Sequence, residues 1–548
     1  MDEKSGIRDE KPVINEQKQK VFIKHTYSIC PECLKKIDAE VFTEAGKVLI
    51  EKSCPEHGTF RDIYWADLEL YERFNQYHEL GKGITNPTLQ PCTTEQNLNS
   101  VFRCGLCSNH KTSTILANID ITNRCNLHCP VCFANAKASG YVYEPSMEQI
   151  RNMMLLLRNE KPVPCYAVQF SGGEPTVRKD LPEIISMAYE LGFAHIQLAT
   201  NGVKLAESVE YAKKLRDSGL NTVYLSFDGI GEAPYKKLRG FNAFPIKQNA
   251  IRNCRKAGLA SLTLVPTLEK GINDHQVGDI IRFASKELDI IKGINFQPVA
   301  FTGRINQAER EKRRITIPDL MKLVEEQTDG QICKEDWYPV PSVAPISRFI
   351  TAMRNKEVPV FTIHPHCGAA TYVYNDRGRL VPITNFVDID GLLEFLDEVT
   401  PEIINTKSSI QKSLLVSKVL NKIPSFVAKD KGPKTLDILR LMINFFMKGT
   451  SESAKPFHRN SLFLGAMHFQ DPYNLDLERV QRCGIHYATP DGRIIPFCSY
   501  NIAYRQEVES KFSKPYNEIT EPEKTEPEKA DISQEPERVE PEKTEFEV

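Results

Sequence analysis

Cys125, Cys129 and Cys132 form a Cys-x3-Cys-x2-Cys run directly after an apolar stretch that reads as a strand. Three closely spaced thiolates can ligate three irons of a cubane and leave the fourth iron open to a small molecule. A zinc knuckle is the competing reading of three cysteines taken alone. About forty residues on, Gly172, Gly173, Glu174 and Pro175 close a second apolar stretch, and glycines there permit close backbone approach to a ligand. Thr200 and Asn201 close a third stretch, and Ser226 and Asp228 a fourth. Each motif alone is ordinary turn chemistry. At successive strand ends they make the kind of set that a parallel barrel collects at one rim.

The elements that must position these residues are legible from residue 114 onward. Strands are expected at Leu116–Ile121, Tyr166–Phe170, His195–Ala199, Thr222–Phe227, Leu262–Pro266 and Ile294–Phe296. Amphipathic helices are expected between and after them, at Met147–Leu157, Leu181–Leu191, Ser208–Ser218, Ile246–Ala257, Gln276–Lys286 and Pro318–Glu326. Six β/α units predict an α/β fold whose parallel sheet has right-handed crossovers and curls into a partial (β/α)6 barrel over 114–330. Arg239 has two readings, pairing with a ligand carboxylate or decorating the surface, and the second is favoured.

Cysteines gather again on both sides of this barrel. Residues 21–113 hold Cys30, Cys33, Cys54, Cys92, Cys104 and Cys107 in short pairs, the pattern of a small domain organised around metal. They could serve a mononuclear iron or zinc and part of a cluster; structural zinc held by Cys30, Cys33, Cys54 and His57 is the plainer alternative. Residues 331–505 hold Cys333, Cys367, Cys483 and Cys498, the count that a complete auxiliary [4Fe–4S] cluster needs. Cys165 and Cys254 fall inside predicted elements and read as buried thiols.

The 548 residues, 41% hydrophobic and 26% charged, contain no run of 18 apolar residues, and the charged first twenty residues do not resemble a signal peptide. A cytoplasmic location is expected. There fifteen cysteines are better explained by metal than by disulfides. The net charge of −2 conceals a basic segment at 400–450, with nine Lys or Arg against three acids, and an acidic Glu/Pro/Lys tail at 506–548 that is expected to be disordered, as are residues 1–20. Leu414–Lys422 and Thr435–Phe446 in the basic segment are compatible with amphipathic helices suited to an anionic membrane surface or to packing on the barrel. Basic and aromatic residues are not interleaved as a nucleic-acid groove needs, so no nucleic-acid partner is expected.

The cysteine run, with Phe133 after it and Gly172-Gly173-Glu174 downstream, resembles the radical S-adenosylmethionine (SAM) superfamily. The resemblance implies a catalytic [4Fe–4S] cluster on Cys125, Cys129 and Cys132, with SAM chelating the open iron. It also implies a SAM pocket of Gly172, Gly173, Glu174, Thr200, Asn201, Ser226 and Asp228. The segments around Cys30, Cys54, Cys104, Trp337, His364–Cys367, and Gly465 through Asn501 resemble archaeal tetraether lipid synthases. That resemblance implies carbon–carbon coupling between terminal methyl carbons of isoprenoid chains of archaeol phospholipids, giving tetraether (GDGT) and macrocyclic lipids, with two SAM consumed per bond. It further implies one or two auxiliary [4Fe–4S] clusters, a reducing donor such as a ferredoxin, and peripheral membrane association. Related chains often carry cysteine where this one has Ser342, which leaves Cys333 as the nearby candidate ligand. Methyl transfer to a dihydropterin is the second reading, and a non-catalytic iron–sulfur electron carrier the third.

Overall fold

The structure, a computed structural model, describes residues 20–86, 97–103, 105–130, 132, 140–301, 305–354, 357–428, 430–433 and 461–515. Cys92, Cys104, the segment Thr435–Phe446, most of the expected N-terminal lead-in and the tail from 516 lie outside the described residues.

The N-terminal strands β1 (Val21–Ile29), β2 (Lys36–Glu44), β3 (Lys47–Cys54) and β4 (Gly58–Trp65) form an antiparallel meander. Ala45 and Gly46, with φ of 51° and 72°, make the two-residue connection between β2 and β3, because a tight hairpin matching the strand twist needs both central residues left-handed. Buried ion pairs clamp this meander to the rest of the chain. Asp62 accepts from Arg310 (2.7 Å) and Arg314 (2.6 Å), and Arg314 also pairs with Asp471 (2.6 Å). Asp476 accepts from Lys24 (3.1 Å), Thr26 (2.6 Å) and Tyr64 (2.8 Å).

Continuing along the chain are β5 (Leu116–Thr122), the short β6 (Tyr141–Tyr143), β7 (Ala167–Gly172), β8 (His195–Thr200), β9 (Thr222–Ser226), β10 (Ser261–Val265), the two-residue β11 (Thr267–Leu268) and β12 (Ile291–Pro298). β5, β7, β8, β9, β10 and β12 lie side by side in that order, all parallel, as the six β/α units require. Helices Met147–Arg158, Leu181–Glu190, Val209–Asp217, Phe244–Lys256, Val277–Ser285 and Ile317–Gln327 agree with the expected ones to within one or two residues. Val168, Phe170, Ile196, Leu198, Val223, Leu225, Leu262 and Leu264, all 0% exposed, share one core with these helices, each contributing about 1.5–3 kcal/mol by burial. The alternate positions of the same strands form the inner face of the barrel.

The C-terminal segment departs from the expected separate module. Its strands are β13 (Tyr338–Pro339), β14 (Gly368–Asp376), β15 (Arg379–Pro382), β16 (Ser461–Met467), β17 (Ile485–Ala488), β18 (Ile494–Pro496) and β19 (Ser513–Pro515). β16 adds to β12 in parallel and β17 adds to β5 in parallel, so this segment extends both edges of the central sheet. These pairings join residues far apart in the chain, so no local periodicity announces them. Helix Ser409–Lys422 forms where amphipathic character is expected, but Val419 is its only fully buried residue.

Glu160 lies beside the β5–β17 edge, 0% exposed, with one oxygen accepting from the Thr114 hydroxyl (2.6 Å) and the other without a partner. Burial pushes its carboxyl up to about 8. A carboxyl raised in the folded state contributes full stability below its ordinary range and loses it as pH rises through the folded value. Melting temperature is expected to fall between about pH 5 and pH 9, and Glu160→Gln is expected to flatten that slope; thermal melts of both proteins across the range check it.

Candidate cluster and metal sites

Cys30 and Cys33 on the β1–β2 turn face Cys54 and His57 on the β3–β4 turn. Their four ligand atoms lie within 4.8 Å of one another. Cys33 Sγ is 3.9 Å from Cys54 Sγ, and His57 Nδ1 is 3.6 Å from Cys30 Sγ and 3.4 Å from Cys54 Sγ. Thiolate and imidazole ligands at their usual zinc distances span tetrahedral edges of about 3.5–3.8 Å, close to the three distances above, so the donor set suits one tetrahedral ion.

The barrel-end site is built from backbone outward. Gly172 has a φ of 133°, and a Cβ there would lie 2.0 Å from the Thr122 carbonyl oxygen; a Cβ on Gly173 would lie 2.3 Å from that of Arg124. In place of side chains, the Gly173 amide donates to Thr122 O (2.7 Å) and the Glu174 amide to Arg124 O (2.8 Å). The end of β7 is thereby stitched to the residues that launch the cysteine run. Glu174 Oε1 accepts from the Thr176 amide (3.1 Å) and hydroxyl (2.6 Å) and the Thr200 hydroxyl (2.7 Å), and Oε2 from the Asn201 amide (2.7 Å). The carboxylate that the resemblance places in the SAM pocket is thus engaged by four protein donors. Asn201 Nδ2 in turn donates to Asn126 Oδ1 inside the cysteine run (2.7 Å).

The three thiols of that run lie within electrostatic reach of one another, and burial pushes Cys125 up to about 11. They do not close to the 4.8 Å mutual distance of the ribbon ligands, as befits a cubane, which holds its thiolates at separate corners. Arg239 is mostly buried, contrary to the surface reading. It pairs through two nitrogens with Asp228 (2.6 and 2.7 Å) and hydrogen-bonds the Cys129 thiol. Its Lys-Lys-Leu-Arg-Gly context looks solvated, but its position on helix Glu232–Arg239 puts it over the cluster loop. Lys247, not singled out in the sequence, donates to the Asn201 carbonyl (2.5 Å) and to Ser226 Oγ (3.0 Å), with burial pushing its ammonium down to about 8. It shares a buried stripe with Ala250, Ile251 and Cys254, and a lysine on an apolar stripe is the signal that could have found it. Of the seven expected SAM-pocket residues, Gly172, Gly173, Glu174 and Asn201 lie against residues 122–126, Thr200 joins them through Glu174, Asp228 reaches Cys129 through Arg239, and Ser226 is linked to Asn201 through Lys247.

The outer cysteines divide differently from the sequence reading. Cys367, Cys483 and Cys498 share one neighbourhood: burial, then the other thiols, push Cys483 upward, and burial with Cys367 brings Cys498 up to about 12. Cys107 is buried beside them; the Leu106 amide donates to the Ile494 carbonyl (2.9 Å), and His110 Nε2 donates to the Cys483 carbonyl (2.8 Å). Cys333 is not part of the group. Its thiol donates to the Gly330 carbonyl (3.4 Å), and its charged neighbours are Asp336, Glu325 and Glu335, with no thiol among them. Proximity along the chain to Ser342 did not translate into proximity in space; the turn Val340–Val343, which carries Ser342, packs on the turn Pro365–Cys367 instead. Arg479 Nε lies 3.4 Å from Cys367 Sγ, and fully buried Arg482 leaves Nε and one terminal nitrogen without partners. Two buried guanidinium groups, Arg479 facing Cys367 and Cys498 and Arg482 facing Cys367, fit an anionic iron–sulfur group. Cys165 and Cys254 are fully buried in the barrel core.

Gly173→Ala drives a Cβ into the backbone that leads to Cys125 and is expected to reduce SAM cleavage by roughly 10²-fold while the fold persists. Counting 5′-deoxyadenosine after anaerobic reduction, alongside a circular dichroism melt, checks this. Cys54→Ala is expected to lose one bound metal per chain and to expose residues 22–66 to protease, read by metal analysis and limited proteolysis.

Residues 119–284 match the radical SAM superfamily, and residues 22–66 match the HMPTM N-terminal zinc ribbon domain. The chain is 52% identical, over 90% of its own length and 96% of the relative's, to the 7,8-dihydro-6-hydroxymethylpterin dimethyltransferase of Methanocaldococcus jannaschii. It is 31% identical to the GTP 3′,8-cyclase of Clostridium acetobutylicum over 37% of this chain and 61% of that one. Among solved structures, methylornithine synthase aligns with a TM-score of 0.30 at 17% identity, over 39% of this chain and 64% of that one. The full-length relative overturns the lipid-coupling reading, because the activity it bears is methylation of a pterin and not joining of lipid chains; the phospholipid substrate falls with it. The cofactors implied are a [4Fe–4S] cluster and SAM, an additional metal in the ribbon, and a reductant to supply electrons. No helix among the described residues is long and apolar enough to cross a membrane. The chain belongs to the radical SAM superfamily and, within it, to the family of this archaeal dimethyltransferase.

Proposed function

We propose that the chain is a radical SAM methyltransferase acting on a dihydropterin-class heterocycle, with Cys125, Cys129 and Cys132 as ligands of the SAM-binding cluster. The activity of the relative at 52% identity supports the reaction class. The observation that carries the substrate class is the chemistry of the barrel's inner face. The registers of β5, β7 and β8 set Asn118, Gln169 and Gln197 side by side, and Gln169 Nε2 donates to Asn118 Oδ1 (2.7 Å). Farther along the same face, Tyr224 OH on β9 reaches over β10 to accept from Gln297 Nε2 (3.0 Å) and from the Asn295 side-chain amide on β12. An amide-lined interior suits a planar ring with alternating donors and acceptors, since buried polar groups need such partners, and it leaves an alkyl chain unmatched.

Cluster and SAM together supply hydrogen-atom abstraction once a reductant provides an electron. The chain's residues do the positioning. Glu174 and Asn201 fix the rim of β7 and β8 against the cysteine run, Lys247 ties that rim to Ser226, and Arg239 ties Asp228 to Cys129. Cys367, Cys483 and Cys498 are proposed as ligands of an auxiliary [4Fe–4S] cluster, and Cys30, Cys33, Cys54 and His57 as ligands of a structural zinc or iron. Peripheral membrane contact has no part in a reaction on a soluble ring.

Reconstituted protein, reduced anaerobically with SAM, 7,8-dihydro-6-hydroxymethylpterin and a small-molecule extract as source of any further one-carbon donor, is expected to form 5′-deoxyadenosine together with methylated pterin. Cys125→Ala abolishes both. Formation of 5′-deoxyadenosine with unchanged pterin overturns the assignment of substrate while leaving the radical chemistry in place.

A further inference from the structure

His468 directly follows β16 and is 2% exposed, and both its ring nitrogens lack a hydrogen-bond partner. An imidazole can satisfy both nitrogens with ordinary donors and acceptors, so a buried ring with neither satisfied calls for a partner of another kind. The backbone around it says where such a partner would sit. β14 and β16 are antiparallel, with Gly368 opposite Met467, which sets Cys367 opposite His468; the His468 amide donates to the Cys367 carbonyl (3.0 Å). Cys367 ends the turn Pro365–Cys367 and His468 lies just past β16, so this hydrogen bond holds the two backbones together at the end of the ladder. Two residues on, the Gln470 amide donates to Cys498 Sγ (3.3 Å), so the segment 468–470 runs from one thiol of the auxiliary group to another. Arg479 brackets the same place, donating to the His468 carbonyl (3.0 Å) and to Cys367 Sγ (3.4 Å).

We propose that the His468 imidazole is the fourth protein ligand of the iron–sulfur group held by Cys367, Cys483 and Cys498. The inference rests on the reading of those three cysteines as a cluster site. Imidazole nitrogen is an established iron ligand in iron–sulfur centres, where it replaces thiolate and raises the reduction potential by removing a negative charge. Cys333 is held away among acids, as shown above; the competitors are Ser342, because its turn packs on the turn carrying Cys367, and buried Cys107, whose neighbour Leu106 bonds to Ile494 four residues before Cys498.

The test uses full-length chain with zinc in the ribbon and with Cys125, Cys129 and Cys132 all changed to Ala, so that the reduced auxiliary centre gives the electron paramagnetic signal. Strong nitrogen hyperfine coupling is expected, with the splitting altered by [15N]histidine labelling. His468→Ala removes the coupling, and His468→Cys removes it while retaining the iron and lowering the midpoint potential; Ser342→Ala and Cys107→Ala change neither. Nitrogen coupling that persists in His468→Ala, or that is absent from the parent, overturns the proposal. Loss of the signal in Ser342→Ala or Cys107→Ala with His468→Ala unaffected assigns the position to that residue and overturns it as well. If Cys367→Ala leaves both iron content and signal unchanged, the cluster site itself is wrong and the proposal falls with it, a failure distinguishable from the others by the iron count.

Discussion

The organisation of the barrel-end site depends on one steric constraint: the backbone at Gly172 and Gly173 lies against residues 122–124 with no room for even a methyl group. That contact lets two amides of the β7 end bond to the carbonyls that lead into Cys125, and it fixes the height of the cysteine loop above the sheet. Glu174, placed by the same turn, then joins β7 to β8 through Thr200 and Asn201. Asn201 reaches back to Asn126, closing a circuit in which each polar group holds the next. Such a circuit is stiff because every member is satisfied inside it, and stiffness at the mouth of a barrel is what a site for a reactive radical requires.

A second layer of order comes from charge. Asp228, Arg239 and Cys129 form one chain, anchored on fully buried Asp228, and Asp62, Arg310, Arg314 and Asp471 another that is buried throughout. Removing a single partner from such a set leaves a charge stranded in a low-dielectric interior, so these groups act less as a source of net stability than as a specification of which surfaces meet. The second set joins the N-terminal ribbon to the loop after β12 and to the segment after β16, so three regions remote in sequence share one electrostatic fastening.

What could be read from the chain follows from the range of the interactions involved. The cysteine run, the glycine pair and the six strand and helix units carry their signals within a few dozen residues, and each appears in the structure near its expected place. Arg239 was misjudged because neighbouring lysines made its helix look solvated, and Lys247 was passed over although its place on an apolar stripe was visible. Cys333 was chosen for its closeness to Ser342 along the chain, a measure the fold does not respect. His468 and the edge strands β16 and β17 had no local mark at all, since their meaning lies in partners more than a hundred residues away. The lipid reading failed for a different reason: family likeness in the outer motifs reported shared architecture, whereas the substrate is decided by side chains facing the barrel interior.

The placement of β16 and β17 on opposite edges of the central sheet also governs how the molecule can be made. Until residues beyond 461 leave the ribosome, β12 and β5 both present unpaired backbone along a parallel sheet that is otherwise complete. The nascent chain must therefore protect two sticky margins for the time it takes to synthesise nearly two hundred further residues. Sealing of the sheet and gathering of Cys367, Cys483 and Cys498 then occur together, so the meeting of these three thiols and burial of the last bare strand edges become one late event in biogenesis.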